Sequence, residues 1–146
     1  MKRIAIACDH GGYELKLEII KMLEEHEMKV IDLGCDSTES VDYPIYANKV
    51  CDEIIEKRAD LGILVCGTGI GMSMAANKRR GIRAACCSDT FSARMTRMHN
   101  DANILCMGGR VVGSCLACDM AELFVTTEFL GGKHEKRIKM FDDTRA

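Results

Sequence analysis

Short apolar runs alternate along the chain with stretches in which apolar residues recur every three or four positions. A short run that is apolar throughout is typical of a strand covered on both faces. Five such runs predict strands at residues 3–8, 30–33, 61–66, 82–87 and 102–107. Leu15, Ile19 and Leu23 show the helical spacing most clearly. The predicted helices lie around 15–23, from 44 to about 57, after 71 to 80, from 89 or 90 to about 98, at 114–127 and from 133 to about 140.

This alternation predicts an α/β fold. We expect one domain over residues 1–146, with a three-layer, doubly wound, Rossmann-like sheet of five parallel strands and helices on both faces. In such sheets a ligand binds beyond the carboxyl ends of the strands. The functional residues are therefore expected in the segments that follow the strands, at 9–10, 42–43, 66–71, 88–89 and 108–110.

The composition agrees with a folded protein outside the membrane. Hydrophobic residues make up 47% and charged residues 29% of the chain, and no apolar run approaches the roughly 18 residues that a membrane helix needs. The first residues lead into charged sequence without the apolar core of a secretory signal. The nine cysteines are odd in number. Several of them, Cys8, Cys86 and Cys106 included, lie in apolar runs, so we expect reduced, buried thiols and a cytoplasmic protein.

The net charge of −2 is unevenly distributed. Residues 1–60 carry 8 basic and 14 acidic side chains, whereas residues 78–110 carry 7 basic and 2 acidic side chains. The absence of Trp and a pI near 6.1 argue against a nucleic-acid surface. A local basic site for a small anion fits this distribution better.

A glycine-rich segment, Cys66-Gly67-Thr68-Gly69-Ile70-Gly71, joins the most apolar predicted strand to a helix. Alternate glycines let the backbone turn sharply and direct several N–H groups inward, an arrangement that holds anions at helix N-termini. The spacing G-x-G-x-G matches neither the dinucleotide fingerprint nor a P-loop, so a tight structural turn is the alternative. The positive end of the helix favours the thiolate of Cys66, which could act as a nucleophile or as a base.

Three further groups could contribute to such a site. Asp9 and His10 follow the first strand, where they orient a proton or a hydroxyl group, or only form a turn. His99 lies near the end of a predicted helix, which favours its protonated form and a role as an acid. Lys133 and Arg137 share one face of the last helix, either as an anion site or as a solvated basic surface.

Two other functions stay open from the residues alone. The glycine loop could hold a phosphate or a nucleotide in a non-catalytic binding module, although the presence of Cys66 and His99 favours an enzyme. Cys115 and Cys118 have the spacing of a thiol redox pair. They lie within a helical pattern, follow no predicted strand and have no second pair of ligands nearby in sequence, which argues against both a redox pair and a zinc site.

Taken together, the segments at the predicted strand ends resemble the type B ribose-5-phosphate isomerases, which share a superfamily with the galactose-6-phosphate isomerase subunits. The resemblance covers essentially the whole chain. Each matching segment is weak alone, and together they are specific. The segments are 7–12 (ACDHGG), 42–44 (DYP), 66–71 (CGTGIG), 75–78 (AANK), 99–103 (HNDAN), 109–113 (GRVVG) and 131–137 (GGKHEKR).

The resemblance implies an aldose–ketose isomerisation of ribose 5-phosphate to ribulose 5-phosphate through a cis-enediolate, without metal or other cofactor. It implies that Cys66 is the base that removes the proton from C2, and that Thr68 helps to move protons between the sugar oxygens. His99 and Asp9 are implied to assist ring opening. The anion hole implied by the family consists of the backbone N–H groups of Gly67, Thr68, Gly69, Ile70 and Gly71.

The resemblance also implies how the substrate is held. Tyr43 and Asn100 are implied to contact the sugar. The phosphate ligands implied are His10, Arg110, Lys133 and Arg137. The implied partners are a small sugar phosphate and further copies of this chain, in a homodimer or a tetramer of two dimers that share active sites, with the last helix donated by a second subunit. Neither nucleic acid nor a membrane is expected to take part.

This chain departs from the family at two positions. Lys133 stands where the family commonly has Arg, which keeps the charge but loses the planar fork of the guanidinium group. Met72 stands where another branch of the family has a glutamate base, which leaves Cys66 as the base. Allose 6-phosphate, galactose 6-phosphate and free aldoses stay open as alternative substrates.

Overall fold

The fold is a five-stranded parallel sheet with helices on both faces, seen in a computed structural model that describes residues 1–142. The strands are β1 Arg3–Cys8, β2 Lys29–Asp32, β3 Leu61–Cys66, β4 Ala84–Cys86 and β5 Ile104–Gly108. Their order in the sheet is β2-β1-β3-β5-β4. The α/β, doubly wound, Rossmann-like fold predicted from the sequence is confirmed.

Six helices accompany the strands within residues 1–142. They are α1 Tyr13–Glu25, α2 Tyr43–Ile55, α3 Ile70–Ala76, α4 Thr90–Asn100, α5 Ser114–Thr126 and α6 Lys133–Asp142. None of them is long and apolar enough to cross a membrane. Asp89 caps α4, since its Oδ1 accepts a hydrogen bond of 2.7 Å from the N–H of Ser92.

Two apolar cores lie on the two faces of the sheet. Consecutive residues of β3 alternate between them, because side chains of a strand point to opposite faces. Ile63 belongs to the core under α1 and α5, where Phe124 is fully buried, and Leu64 belongs to the core under α2 and α3, where Val50 is fully buried. Burying each such side chain contributes about 1.5–3 kcal/mol to the stability of the sandwich.

Helix α3 ends earlier, and strand β4 is shorter, than the sequence pattern predicts. Helix α3 ends at Ala76 and not at residue 80. The cause is the side chain of Asn77, which forms hydrogen bonds of 2.8 Å with both the N–H and the carbonyl of Ala84. Strand β4 covers three residues and not 82–87, since the N–H of Ile82 bonds within a turn to the carbonyl of Arg79.

The expectation that Cys86 is buried is wrong. The residue is exposed because it ends β4, the short strand at the edge of the sheet. Cys8, Cys66, Cys87 and Cys106 are buried as expected, and all nine cysteines are free thiols.

The topology brings the ends of three strands together. The chain runs from β1 to β2 on one side and from β3 to β4 on the other, which makes the gap between β1 and β3 a topological switch point. Cys8 pairs with Val65, and Cys66 pairs with Gly108, so the segments that follow β1, β3 and β5 start side by side.

Candidate active site

Residues 66–71, here called the thiol loop, hold a sulfur atom at the margin of the core. Cys66 is 5% exposed, whereas the neighbouring Thr68 is exposed. The Cys66 Sγ accepts a hydrogen bond of 3.1 Å from the N–H of Gly69. A hydrogen bond from a backbone donor stabilises sulfur in its anionic form more than in its neutral form. The geometry therefore suits a thiol that has to accept and release a proton.

Gly69 makes this turn possible. Its φ is +83°, a left-handed conformation that costs other residues energy, and a Cβ at this position would lie 2.7 Å from the carbonyl carbon of Met107. Only glycine allows the loop to lie so close to the backbone of β5 while its N–H points at the sulfur.

Unpaired backbone N–H groups lie in the same loop as the sulfur. Among residues 1–142, the N–H groups of Gly67, Thr68 and Gly71 have no hydrogen-bond acceptor. The N–H of Ile70 donates to the Thr68 Oγ1 at 3.2 Å. A cluster of unpaired amides at the start of a helix stabilises a negatively charged oxygen. The thiol loop thus has the donors that an anion hole requires.

The segment after β5 fixes the other side of the loop. The N–H of Gly109 donates to the carbonyl of Cys66 at 2.7 Å, and the N–H of Arg110 donates to the carbonyl of Gly67 at 3.0 Å. A Cβ on Gly67 would lie 3.4 Å from the Arg110 Nη1. The Arg110 guanidinium group therefore lies directly beside the loop, and Arg110 is exposed to solvent.

The segment after β1 brings a buried carboxylate to the same place. Asp9 is 7% exposed, and its Oδ1 accepts a hydrogen bond of 2.8 Å from the N–H of Gly11. A Cβ on Gly11 would lie 3.1 Å from the N of Gly67, so the two loops are in contact. The Asp9 Oδ2 has no hydrogen-bond partner among the described residues. One carboxylate oxygen is therefore fixed and the other is available.

His10 has a defined hydrogen-bonding role. Its Nδ1 accepts a hydrogen bond of 3.2 Å from the N–H of Val41. An Nδ1 that accepts carries no proton, so in the neutral ring the proton lies on Nε2. His10 is therefore arranged to donate a hydrogen bond from Nε2 to an oxygen.

Tyr43 lies against the far end of the thiol loop. A Cβ on Gly71 would lie 2.7 Å from the Tyr43 ring, and the Tyr43 side chain is 38% exposed. Tyr43 is the first residue of α2 and is followed by Pro44, which suits the first turn of a helix. The phenol ring therefore forms one wall beside the loop.

A second group of polar side chains surrounds a cavity of about 450 Å³ between α4 and α6. We call this group the basic cleft, and its members are His99, Asn100, Lys133, His134 and Arg137. The rings of His99 and His134 are stacked, with centroids 4.3 Å apart and planes inclined by 12°. Burial lowers the pKa of His134, and the nearby His99, Lys133 and Arg137 lower it further.

The thiol loop and the basic cleft do not meet within one chain. The cavity of the basic cleft does not include Cys66. Among residues 1–142, no hydrogen bond or ion pair joins the side chains of the cleft to those of Asp9, Thr68 or Arg110. The predicted site residues thus form two groups: those at the ends of β1, β3 and β5 with Tyr43, and those of α4 and α6.

Several other cysteines lie in surroundings that favour their protonated form. Burial raises the pKa of Cys51 and Cys87 to about 11 and that of Cys8 to about 12. Burial also raises the pKa of Cys118, with a further contribution from Glu18. A redox thiol needs a lowered pKa, so Cys118 does not suit the redox pair considered above. No group of three or more His, Cys, Asp or Glu residues in the described chain is arranged to hold a metal ion.

Two residues near these groups escaped the sequence analysis. His134 was noted only as part of the segment 131–137, although it stacks on His99. Cys86 lies beside the thiol loop, with its Sγ 3.8 Å from the carbonyl of Thr68. A histidine inside a basic helical motif was the signal that could have identified His134. No local pattern indicates that β4 places Cys86 beside Thr68.

Comparisons with known proteins agree with this arrangement. The family model described as Ribose/Galactose Isomerase matches residues 4–141. Ribose-5-phosphate isomerase B of Escherichia coli is 47% identical over 139 residues, which cover 95% of this chain and 93% of that protein. The structure of ribose-5-phosphate isomerase B from Clostridium thermocellum is 48% identical, with a TM-score of 0.95, and covers 97% of this chain and 95% of that one.

The ribose 5-phosphate isomerase from Thermotoga maritima is 50% identical, again with a TM-score of 0.95, over 98% of this chain and 99% of that one. Matches of this extent include every segment that forms the thiol loop and the basic cleft. The chain therefore belongs to the ribose/galactose isomerase family, an enzyme family of sugar phosphate isomerases.

Proposed function

We propose that the chain acts as one isomerase domain that interconverts ribose 5-phosphate and ribulose 5-phosphate through a cis-enediolate. The relatives named ribose-5-phosphate isomerase B support the choice of substrate. The observation that carries the chemistry is the Cys66 Sγ, which accepts the N–H of Gly69 while three neighbouring amides stay unpaired. A base and an anion hole are adjacent, as removal of a proton beside a carbonyl requires.

The reaction begins with opening of the sugar ring. The free oxygen of Asp9 takes the proton of the C1 hydroxyl group, the bond between C1 and the ring oxygen breaks, and His99 gives a proton to the ring oxygen. Asp9 suits this role because the N–H of Gly11 fixes one carboxylate oxygen and leaves the other free. The product is an open-chain aldehyde.

Proton transfer follows at the thiol loop. The Cys66 thiolate removes the proton from C2, and the C1 carbonyl becomes a negatively charged oxygen. The Cys66 thiol, whose proton exchanges with solvent, then delivers a proton to C1. The hydroxyl group of Thr68 moves a proton between O1 and O2. Each well-placed donor of an anion hole is typically worth about 3–4 kcal/mol of transition-state stabilisation. The unpaired amides of Gly67, Thr68 and Gly71 are the donors that this chain offers.

Substrate binding uses both groups of residues. Tyr43 and Asn100 contact the sugar. The phosphate is held by His10 and Arg110 beside the loop and by Lys133 and Arg137 in the basic cleft. Because one chain does not bring these groups together, the cleft of a second subunit completes each site.

The exposed apolar side of α3 suits such an assembly. Ile70 is 50% exposed and Met74 is 65% exposed, one helical turn apart and next to the thiol loop. Apolar side chains grouped on a surface are typical of subunit interfaces. We place this side of α3 in the contact between subunits of a homodimer, which two such dimers extend to a tetramer. The free thiols fit an enzyme of the cytoplasm.

The substrate range depends on position 133. Lys133 offers a point charge where a guanidinium group would bind two phosphate oxygens at once. Weaker phosphate binding would widen the choice of substrate to allose 6-phosphate, galactose 6-phosphate or free aldoses. Ribose 5-phosphate stays the favoured substrate because relatives such as ribose-5-phosphate isomerase B of Escherichia coli are named for it.

The experiment that tests the function is isomerisation in D2O, followed by NMR, with a panel of these sugars. We expect ribose 5-phosphate to give ribulose 5-phosphate fastest, with deuterium at the carbon that receives the proton. Binding of ribose 5-phosphate without any exchange would instead identify a non-catalytic binding module. A faster reaction with another sugar of the panel would overturn the substrate but not the chemistry.

A further inference from the structure

The stacked pair of His99 and His134 has a role that the mechanism above does not use. His99 lies in the last turn of α4, and His134 lies in the first turn of α6. Their ring centroids are 4.3 Å apart and their planes are nearly parallel. Two residues 35 positions apart in sequence thus hold their rings face to face at the edge of the basic cleft.

The stack is the contact that orients His99. Among residues 1–142, neither ring nitrogen of His99 forms a hydrogen bond or an ion pair with the protein. A catalytic histidine usually has its orientation fixed by a hydrogen bond to one ring nitrogen. Here both nitrogens of His99 stay free for a substrate, and the ring position depends on the flat face of His134.

The groups around His134 favour its uncharged form. The positive end of the α6 dipole disfavours a positive charge on His134. The groups that face His134 are His99 on α4 and Lys133 and Arg137 on α6, and all three lower its pKa after burial does. A positive charge on His134 would also repel any positive charge on the ring stacked against it, so the surroundings favour an uncharged His134 ring.

We propose that His134 is a positioning residue for ring opening: its ring, stacked face to face on the His99 imidazole, holds that imidazole in the orientation that delivers a proton to the ring oxygen of the sugar. This inference rests on the proposed function. In the step concerned, the bond from C1 to the ring oxygen breaks, His99 loses its proton to that oxygen, and the C1 hydroxyl proton goes to Asp9. His134 neither gains nor loses a proton.

The test compares a cyclic with an acyclic substrate in three variants. Ribose 5-phosphate must be opened before C2 can react, whereas ribulose 5-phosphate cannot close a ring through its phosphorylated oxygen. We expect His134→Ala to lower kcat for ribose 5-phosphate roughly tenfold or more, since displacing a general acid forfeits part of a contribution of about 10²–10⁴. Deuterium exchange from D2O into C1 of ribulose 5-phosphate should stay near the wild-type rate.

The matched variants separate stacking from other effects. His134→Phe keeps a flat ring and should restore most of the rate with ribose 5-phosphate, and Lys136→Ala, an exposed residue on the same helix, should leave both reactions unchanged. Equal losses in the two reactions, or a Phe variant no better than the Ala variant, would overturn the proposal. If wild-type protein exchanges no deuterium with ribulose 5-phosphate, the proposed function itself fails, which is a separate result.

Discussion

The thiol loop and the basic cleft hold their functional groups in opposite ways. In the thiol loop the backbone supplies the contacts: Gly69 donates to Cys66, and Gly109 and Arg110 donate to carbonyls of the loop. In the basic cleft the side chains do so, through stacked rings and neighbouring cations in an open cavity of about 450 Å³. The difference separates two tasks: the loop keeps the reacting atoms in a fixed geometry, and the cleft supplies charge for a substrate.

This contrast also explains why glycines are concentrated in the thiol loop and cationic side chains in the basic cleft. Amide donors can be aimed at one oxygen only when the chain turns sharply, which Gly69 permits at φ +83°. A phosphate group is held by charge from several directions, and long side chains such as Arg137 reach it from a helix surface. The changes below act on one region and leave the other intact.

Loss of the sulfur should have the largest effect. Cys66→Ala removes the proposed base, and we expect kcat to fall by roughly 10²–10⁴-fold or more, with little change in the KM for ribose 5-phosphate. Circular dichroism should show a folded protein. Cys115→Ala is the matched control, since Cys115 is an exposed thiol on α5. Near wild-type turnover of the Cys66 variant would remove this residue from the mechanism.

A change in the basic cleft should weaken substrate binding rather than slow the chemical step. Arg137→Ala should raise the KM for ribose 5-phosphate about 10- to 100-fold, the loss expected for a charge-assisted hydrogen bond of about 1.5–3 kcal/mol. The KM for free ribose should change little, because that sugar has no phosphate group. Steady-state kinetics with both sugars measures the split. A similar increase for both would show that Arg137 does not bind phosphate.

A change in the backbone of the thiol loop should affect stability. Gly69→Ala places a Cβ against the backbone of Met107 at a positive φ, so we expect a loss of about 2 kcal/mol or more in the free energy of unfolding. Gly67→Ala is the control in the same loop, since its Cβ would lie 3.4 Å from only the Arg110 side chain. Urea unfolding measures both. Equal stability of the two variants would show that the loop tolerates a side chain at Gly69.

The smallest expected effect is electrostatic and concerns His134. The lowered pKa means that the folded state prefers the neutral ring, so the contribution to stability is present above the ordinary value of 6.5 and is lost as the pH falls through the folded pKa. NMR titration of the His134 ring should give a midpoint below 6.5. Arg137→Gln should move that midpoint upwards, whereas Lys136→Gln should not. A midpoint above 6.5 would contradict the charge distribution described for the cleft.

The sequence predicts the sheet well because its signal is local. Each strand is an apolar run, and each helix repeats its apolar residues within one or two turns, so β3 and α5 begin as predicted. The end of α3 and the length of β4 could not be predicted in this way. They depend on hydrogen bonds between Asn77 and Ala84, which require that the two residues already be neighbours in the fold.

The candidate site, like the sheet, can be predicted from the sequence only where its signal is local. Cys66 ends β3, and Asp9 and Arg110 lie just after β1 and β5. The rule that ligands bind at strand ends selects these positions from the chain alone. The strand order, with β5 between β3 and β4, is not contained in that pattern, and it accounts for the exposure of Cys86. The His99–His134 stack joins α4 to α6 across a long stretch of sequence, so no local period reveals it.

Mixing two inactive variants tests most directly whether loop and cleft act together across subunits. Cys66→Ala lacks the base, and His99→Ala combined with Arg137→Ala lacks the cleft. Suppose that each site joins the thiol loop of one subunit to the basic cleft of its partner. A mixed dimer, with one subunit of each variant, then contains one intact site, formed by the loop of one variant and the cleft of the other. When equal amounts of the two variants are unfolded and refolded together, half of the dimers are mixed and each mixed dimer has one of its two sites intact. The mixture should therefore recover about one quarter of wild-type activity. No activity above that of the separate variants would show that each site is built within a single chain.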